Sequence, residues 1–150
     1  MRQALMMVAA SALFMISMLD TTQARDMSGA LKGSDLIGMK VEGIDGKKLG
    51  HIKDLVIDPM DGDIDYAVLD YGGFLGVSDK YFAVPWEALR FSDDGKTVLL
   101  DVTKKDLKQA PGFDKKHWPD LSSQDQTIVI YEFYGVPMSD DHSKDPKAAH

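Results

Sequence analysis

Between Met39 and Val102 the apolar residues recur in short runs with a period near two, and each run ends in turn-forming residues. The runs are Met39–Glu42, Leu49–Asp58, Asp63–Tyr71, Lys80–Val84, Leu89–Ser92 and Thr97–Val102. Alternation at this period predicts six β-strands. Asp45-Gly46, Asp61-Gly62 and Asp94-Gly95 separate consecutive runs. Asp-Gly suits a tight hairpin, because glycine reaches positive φ without a Cβ clash. In the third run Ile64, Tyr66 and Val68 alternate with Asp65, Ala67 and Leu69, giving one strongly apolar face and one mixed face. Pro85 has no N–H to give a ladder and ends the fourth run. Six short strands joined by tight turns predict a mainly β fold, a small six-stranded barrel whose closure removes exposed edges.

Helical signals come after the strands. Thr103 precedes Lys104-Lys105-Asp106, where its hydroxyl can accept from an orphan N–H and the acid suits the dipole. Ala110-Pro111-Gly112 keeps that helix short. Thr127–Tyr134 is ambiguous, since its composition is that of a strand while its flanks are helical. Ser123-x-x-Gln126 has the form of a capping box, and Gly135 with Pro137 forms a stop. End signals carry a mechanism and propensity is a weak prior, so a helix packed outside the barrel is expected. At helical spacing Thr127, Ile130, Tyr131 and Tyr134 share one face.

These boundaries give a linker over 25–33, a barrel domain over 34–113, and an extension over 114–136 that packs on it. The polar stretch 137–150 has no apolar period and is expected to be disordered. Residues 1–24 have the layout of a signal peptide: Arg2, an uncharged run Ala4–Leu19, then Thr22-Gln23-Ala24 as a small-x-small site. That run of 16 residues falls short of the length needed to span a bilayer, about 20 residues. The expectation is cleavage, export and no stable membrane span afterwards.

Charge and residue usage narrow the partners. The formal net charge is −7, and losing Arg2 and Asp20 together leaves it unchanged. An acidic surface repels phosphate backbones, so nucleic acid is not an expected partner. There is no Cys, so an exported form has no disulfide and its core must suffice. There is no Asn either, hence no N-glycosylation acceptor. The combination fits the bacterial periplasm.

Several motifs invite chemistry and fall short of it. Asp58–Asp65 looks like a calcium loop, but Met60, Gly62 and Leu69 stand where an EF-hand needs oxygen donors. Gly95-Lys96-Thr97 lacks the earlier glycine and the following helix of a phosphate loop. Gly76-Val77-Ser78-Asp79-Lys80 has Lys80 where a nucleophile elbow has its second glycine. His51 and His117 are the candidate bases outside the tail, and nothing aligns either with Ser78. Weak divalent-metal binding by the His- and Asp-containing tail is open, but no ligand spacing there is diagnostic. No catalytic residue, metal site or cofactor is therefore expected.

What remains is the apolar loop Gly72-Gly73-Phe74-Leu75-Gly76-Val77, together with Trp86. Phe74, Leu75 and Val77 either form an exposed contact patch or fold back to plug one barrel end. The plug is favoured because side chains fill small barrels. Trp86, directly after Pro85, reads first as a core anchor. These four residues are the candidate partner-binding set.

Ser34–Phe113 resembles a PRC-barrel domain. The matching pieces are Asp35-Leu36-Ile37-Gly38, Asp45-Gly46-x-Lys48-Leu49-Gly50-x-Ile52-x-Asp54-Leu55-Val56-Ile57-Asp58 and Tyr66-Ala67-Val68-Leu69. They continue through Gly72-Gly73-Phe74-Leu75-Gly76, Val84-Pro85-Trp86 and Asp101-Val102-Thr103. Trp118-Pro119-Asp120 and Tyr134-Gly135-Val136 resemble the tail of small exported bacterial proteins built on one such barrel. The resemblance implies a docking or assembly module that meets an envelope protein. A small-ligand or divalent-cation binding role in the envelope, connected with stress, is the alternative. No membrane-spanning N-terminal helix like that of the photosynthetic reaction-centre H subunit is expected, and an export signal implies no ribosomal role.

Overall fold

The structure is a computed structural model and describes residues 29–72 and 80–138. A helical turn, α1 (Gly33–Leu36), opens it. Four strands follow: β1 (Lys40–Gly43), β2 (Lys48–Ile57), β3 (Ile64–Asp70) and β4 (Lys80–Pro85). After a 3-10 turn over Trp86–Ala88 come β5 (Arg90–Phe91), β6 (Thr97–Leu100), α2 (Lys104–Leu107), β7 (Gly112–Asp114) and α3 (Gln124–Tyr134). All six expected strands are present within a few residues of their predicted ends. The three Asp-Gly turns carry positive φ at Gly46, Gly62 and Gly95, as the hairpins require.

One expectation needs correction. Among the described residues the sheet has seven strands in the order β5-β6-β1-β2-β3-β4-β7, and its ladder does not close. The terminal strands are two and three residues long. Turns bound them on both sides, so neither extends far enough to pair with the other, and short edge strands leave little backbone exposed. The expected barrel domain opens on a helical turn ahead of its first strand. Gly33–Leu36 is helical, and it seats Leu36 in the core at 2% exposure.

The sheet curls around one apolar cluster and carries a second on its outer side. Val41, Leu49, Ile52, Ala67, Leu69, Phe82, Val84, Val98 and Leu100 fill the inside, joined by Leu36 from α1 and Leu107 from α2. Tyr66 and Ala83 face outward and are covered by Leu121, Ile130 and Tyr131. β3 is therefore buried on both faces along Tyr66–Asp70. This explains why the mixed face as well as the strongly apolar one carries apolar residues there. Gly50 lets β2 approach β3: a Cβ there would lie 2.0 Å from the Asp70 carbonyl oxygen.

The helix ends follow from their sequences in two ways. At α2, Thr103 accepts from the Asp106 N–H, and the Asp106 side chain accepts from the Thr103 N–H, a reciprocal capping box. At α3 the expected box does not form, since Ser123 makes no side-chain cap bond. Gly135 does end α3, at φ +65, with its N–H and that of Val136 bonded back to Tyr131 and Glu132 carbonyls. No helix among the described residues is long and apolar enough to cross a membrane.

Candidate functional site

The outer face of the sheet carries one row of side chains that is neither plain core nor plain surface. Register aligns His51 of β2 with Asp70 of β3, Asp70 with Tyr81 of β4, and Tyr81 with Phe113 of β7. Beyond this row the chain turns at Asp114 and returns Lys115 and Trp118 over it. The turn is held by the Lys116 N–H bonded to Asp114 Oδ1 at 2.7 Å and the His117 N–H bonded to the Asp114 carbonyl.

Asp70 anchors the row. It is a polar residue at 8% exposure, and its carboxylate is fully engaged. Oδ1 accepts the Gly72 N–H at 2.9 Å, and Oδ2 accepts Lys115 Nζ at 3.2 Å. His51 Nε2 stands 3.9 Å from Oδ2, a charge pair when the imidazole is protonated. Burial by itself raises the carboxyl pKa. The Gly72 N–H and the Lys115 ammonium, with a smaller contribution from His51, outweigh that and hold it below the usual carboxylate range.

Around this ion pair stands an aromatic cluster. Lys115 Nζ lies 5.0 Å over the Tyr81 ring. Tyr81 meets Phe113 and Trp118 edge-on at 6.1 and 5.9 Å, and Phe113 meets Trp118 at 5.2 Å. Tyr81 is buried, whereas Trp118 remains 44% exposed. The result is a partly exposed indole packed against two rings, one of which also carries a charge-locked lysine. Such a side chain can be desolvated by a partner with little loss of rotamer freedom.

Phe74, Leu75 and Val77 lie outside the described residues. The residues that bracket 73–79 adjoin the aromatic platform: Gly72 through its bond to Asp70, and Lys80 opposite Asp114 in the β4–β7 register. Trp86 is elsewhere. It follows β4, whose six residues put its ends about 17 Å apart at the usual rise per residue. There Trp86 packs against the inner cluster with its ring 6.2 Å from Phe91. The structure therefore does not bring Trp86 to the end of β4 where 73–79 attaches. The platform residues Asp70, Lys115 and Trp118 were absent from the sequence-derived set. Trp118-Pro119-Asp120 was visible as a motif, but pairing of Phe113 with Tyr81 was not, because the strand carrying Phe113 has only three residues.

Two carboxylates of the acidic turn of Asp58–Asp65 accept from its own backbone. Asp58 Oδ1 accepts the Met60 N–H at 2.7 Å, and Asp61 Oδ1 accepts the Asp63 N–H at 3.3 Å. Among the described residues no three His, Cys, Asp or Glu side chains gather into a group that could hold a metal ion. Two part-buried polar contacts tie α3 to β3 and to the 3-10 turn. The Tyr66 hydroxyl bonds to Thr127 Oγ1 at 3.1 Å, and Tyr131 Oη lies 3.4 Å from Glu87 Oε2.

Residues 28–107 match the family model of the PRC-barrel domain, more than half of the chain. No curated protein matches it.

Proposed function

The chain belongs to the PRC-barrel family, whose domains are generally non-catalytic modules, and from that premise we propose that it is a non-enzymatic docking or assembly module of the bacterial envelope. The observation that carries this reading is the exposed indole of Trp118, preset on Phe113 and on Tyr81, whose ring also carries the locked Lys115. Exposed, rigidly supported tryptophan is the side-chain type that most often dominates a protein interface. The N-terminal segment supports export, and the net charge of −7 favours a protein partner over nucleic acid.

The test is recovery of partners from envelope extract on the full-length tagged protein, with Trp118→Ala and Phe74→Asp beside it. Trp118→Ala should weaken the partner interaction by at least about 2 kcal/mol, about thirtyfold in Kd, while leaving the far-ultraviolet dichroism unchanged. Phe74→Asp reports whether the 73–79 segment belongs to the same surface. A partner set retained in full by both variants would remove this reading.

A further inference from the structure

β2 outruns the strand beside it, and its second half has a neighbour on one side only. β1 pairs with it as far as His51, and the last bonds on that side join Ile52 to Gly38 and Met39. From Lys53 to Ile57 the ladder runs to β3, and no other strand pairs with this stretch among the described residues. The hairpin turn fixes where the remaining backbone groups point. The Asp58 N–H bonds to the Asp63 carbonyl at 2.9 Å, so Asp58 faces β3. Alternation then turns the N–H and carbonyl of Ile57 and of Leu55 away from β3. Leu55 bears this out, since its N–H is taken by Asp54 Oδ1 at 2.8 Å and not by a strand. Ile57 is 55% exposed at the same edge. An extended run with outward donors and acceptors is a template for one more strand.

We propose that the edge of β2 over Lys53–Ile57 is a pairing surface for a second copy of this chain, and that Asp54 keeps it closed. Two effects meet at that residue. Its carboxylate covers the Leu55 N–H, so an added strand has to displace it. The second effect comes from register. The antiparallel pairing that uses both outward residues sets Leu55 opposite Ile57 of the second copy. Asp54 then stands opposite Asp58 of the second copy, twice over by symmetry, and like charges directly opposite destabilise a pair. The same register sets Val56 against Val56 of the second copy, a favourable β-branched pair. The edge therefore suits itself in backbone and in apolar side chain, and the two carboxylates oppose it. Lys53 adds to the protection. Ile52 opposes Leu69 and Asp54 opposes Val68, so Lys53 is a bulge that bends the edge where β1 leaves it.

Sedimentation velocity of the full-length protein over a concentration series tests this, with far-ultraviolet dichroism to check the fold of each variant. The parent should stay monomeric. Asp54→Val removes the cap and the charge and supplies a good strand former, and should raise the self-association constant at least about tenfold. Asp54→Asn keeps an oxygen for the Leu55 N–H and removes only the charge, so it should dimerise more weakly. Adding Ile57→Pro to Asp54→Val should restore the monomer. The Ile57 N–H faces away from β3, so its loss spares the existing ladder and blocks only an added strand. If Asp54→Val does not fold, Asp54→Asn with Asp58→Asn replaces it, since both amides retain an oxygen for the backbone bonds that the carboxylates accept. Trp118→Ala should leave all of this unchanged, so failure of the docking reading and failure of this one are separable. The proposal is wrong if the variants lacking these charges stay monomeric at their highest soluble concentration, or if their dimer survives Ile57→Pro. It is equally wrong if the parent already self-associates and Ile57→Pro abolishes that.

Discussion

Asp70 concentrates at one residue several of the forces that hold the platform. Its carboxylate ties β3 to the Gly72 amide and to Lys115, which lies 45 positions away in sequence. Because its folded-state pKa lies below the unfolded value, the carboxylate contributes stability above that unfolded value, about 3.9. That contribution is lost as pH falls through the lower folded value. Asp70→Asn should therefore be less stable than the parent above about pH 5, by about 1–3 kcal/mol, with Lys115 left beside a neutral amide. The gap should close in acid. Urea unfolding of both proteins at a series of pH values checks it, and parallel stability curves would show that the ion pair contributes nothing. Gly50 presents the steric counterpart. Gly50→Ala puts a Cβ against the Asp70 carbonyl at a backbone φ of +154, and should cost at least about 2 kcal/mol by the same measurement.

At the scale of elements, α3 determines how β3 and β4 are used. Its buried residues Ile130 and Tyr131 cover Tyr66 and Ala83, while Val129 on the same helix is half-exposed. Ile130→Ala should destabilise by about 2–4 kcal/mol through lost burial and an unfilled cavity. Val129→Ala should cost less than about 0.5 kcal/mol. Equal losses for the two, measured by denaturant midpoint, would mean that the helix does not dock through this face. The shared face of Thr127, Ile130, Tyr131 and Tyr134 was legible from spacing alone, because helical period and end signals are local properties. So were the hairpins, since Asp-Gly imposes its geometry within four residues. The strand β7 was not legible. Gly112-Phe113-Asp114 follows a proline, has no alternation long enough to detect, and becomes a strand only because β4 offers it an edge. The open ladder escaped for a related reason, as the strand count says nothing about whether two short edges meet. Among the site residues, Trp118 was visible as a motif, but its value depends on Phe113 and Tyr81 beneath it, and register across four strands is not written in any local pattern.

For the whole molecule, the question is whether the barrel and the extension that carries the platform are one cooperative unit. The inner cluster and the outer cluster share β3 and β4, with alternate residues of each strand serving one or the other. Losing α3 therefore uncovers the back of the strands that form the interior, so the two clusters should unfold together. No disulfide links them, because the chain has no Cys, and packing alone must provide the coupling. The chain's two tryptophans sit on either side of this question. Trp86 reports on the inner core, and Trp118 reports on the extension. Trp118→Phe leaves the first as sole indole reporter, and Trp86→Phe leaves the second. Each variant can shift the global midpoint, so each fluorescence transition is compared with far-ultraviolet dichroism of the same variant. Coincident transitions in both variants are expected, with the same midpoint in oxidising and reducing buffer. An indole signal from Trp118 that is lost well before the dichroism would instead make the extension an independently melting arm. The platform would then form only on contact with its partner, and the preset geometry of Trp118 could no longer account for binding.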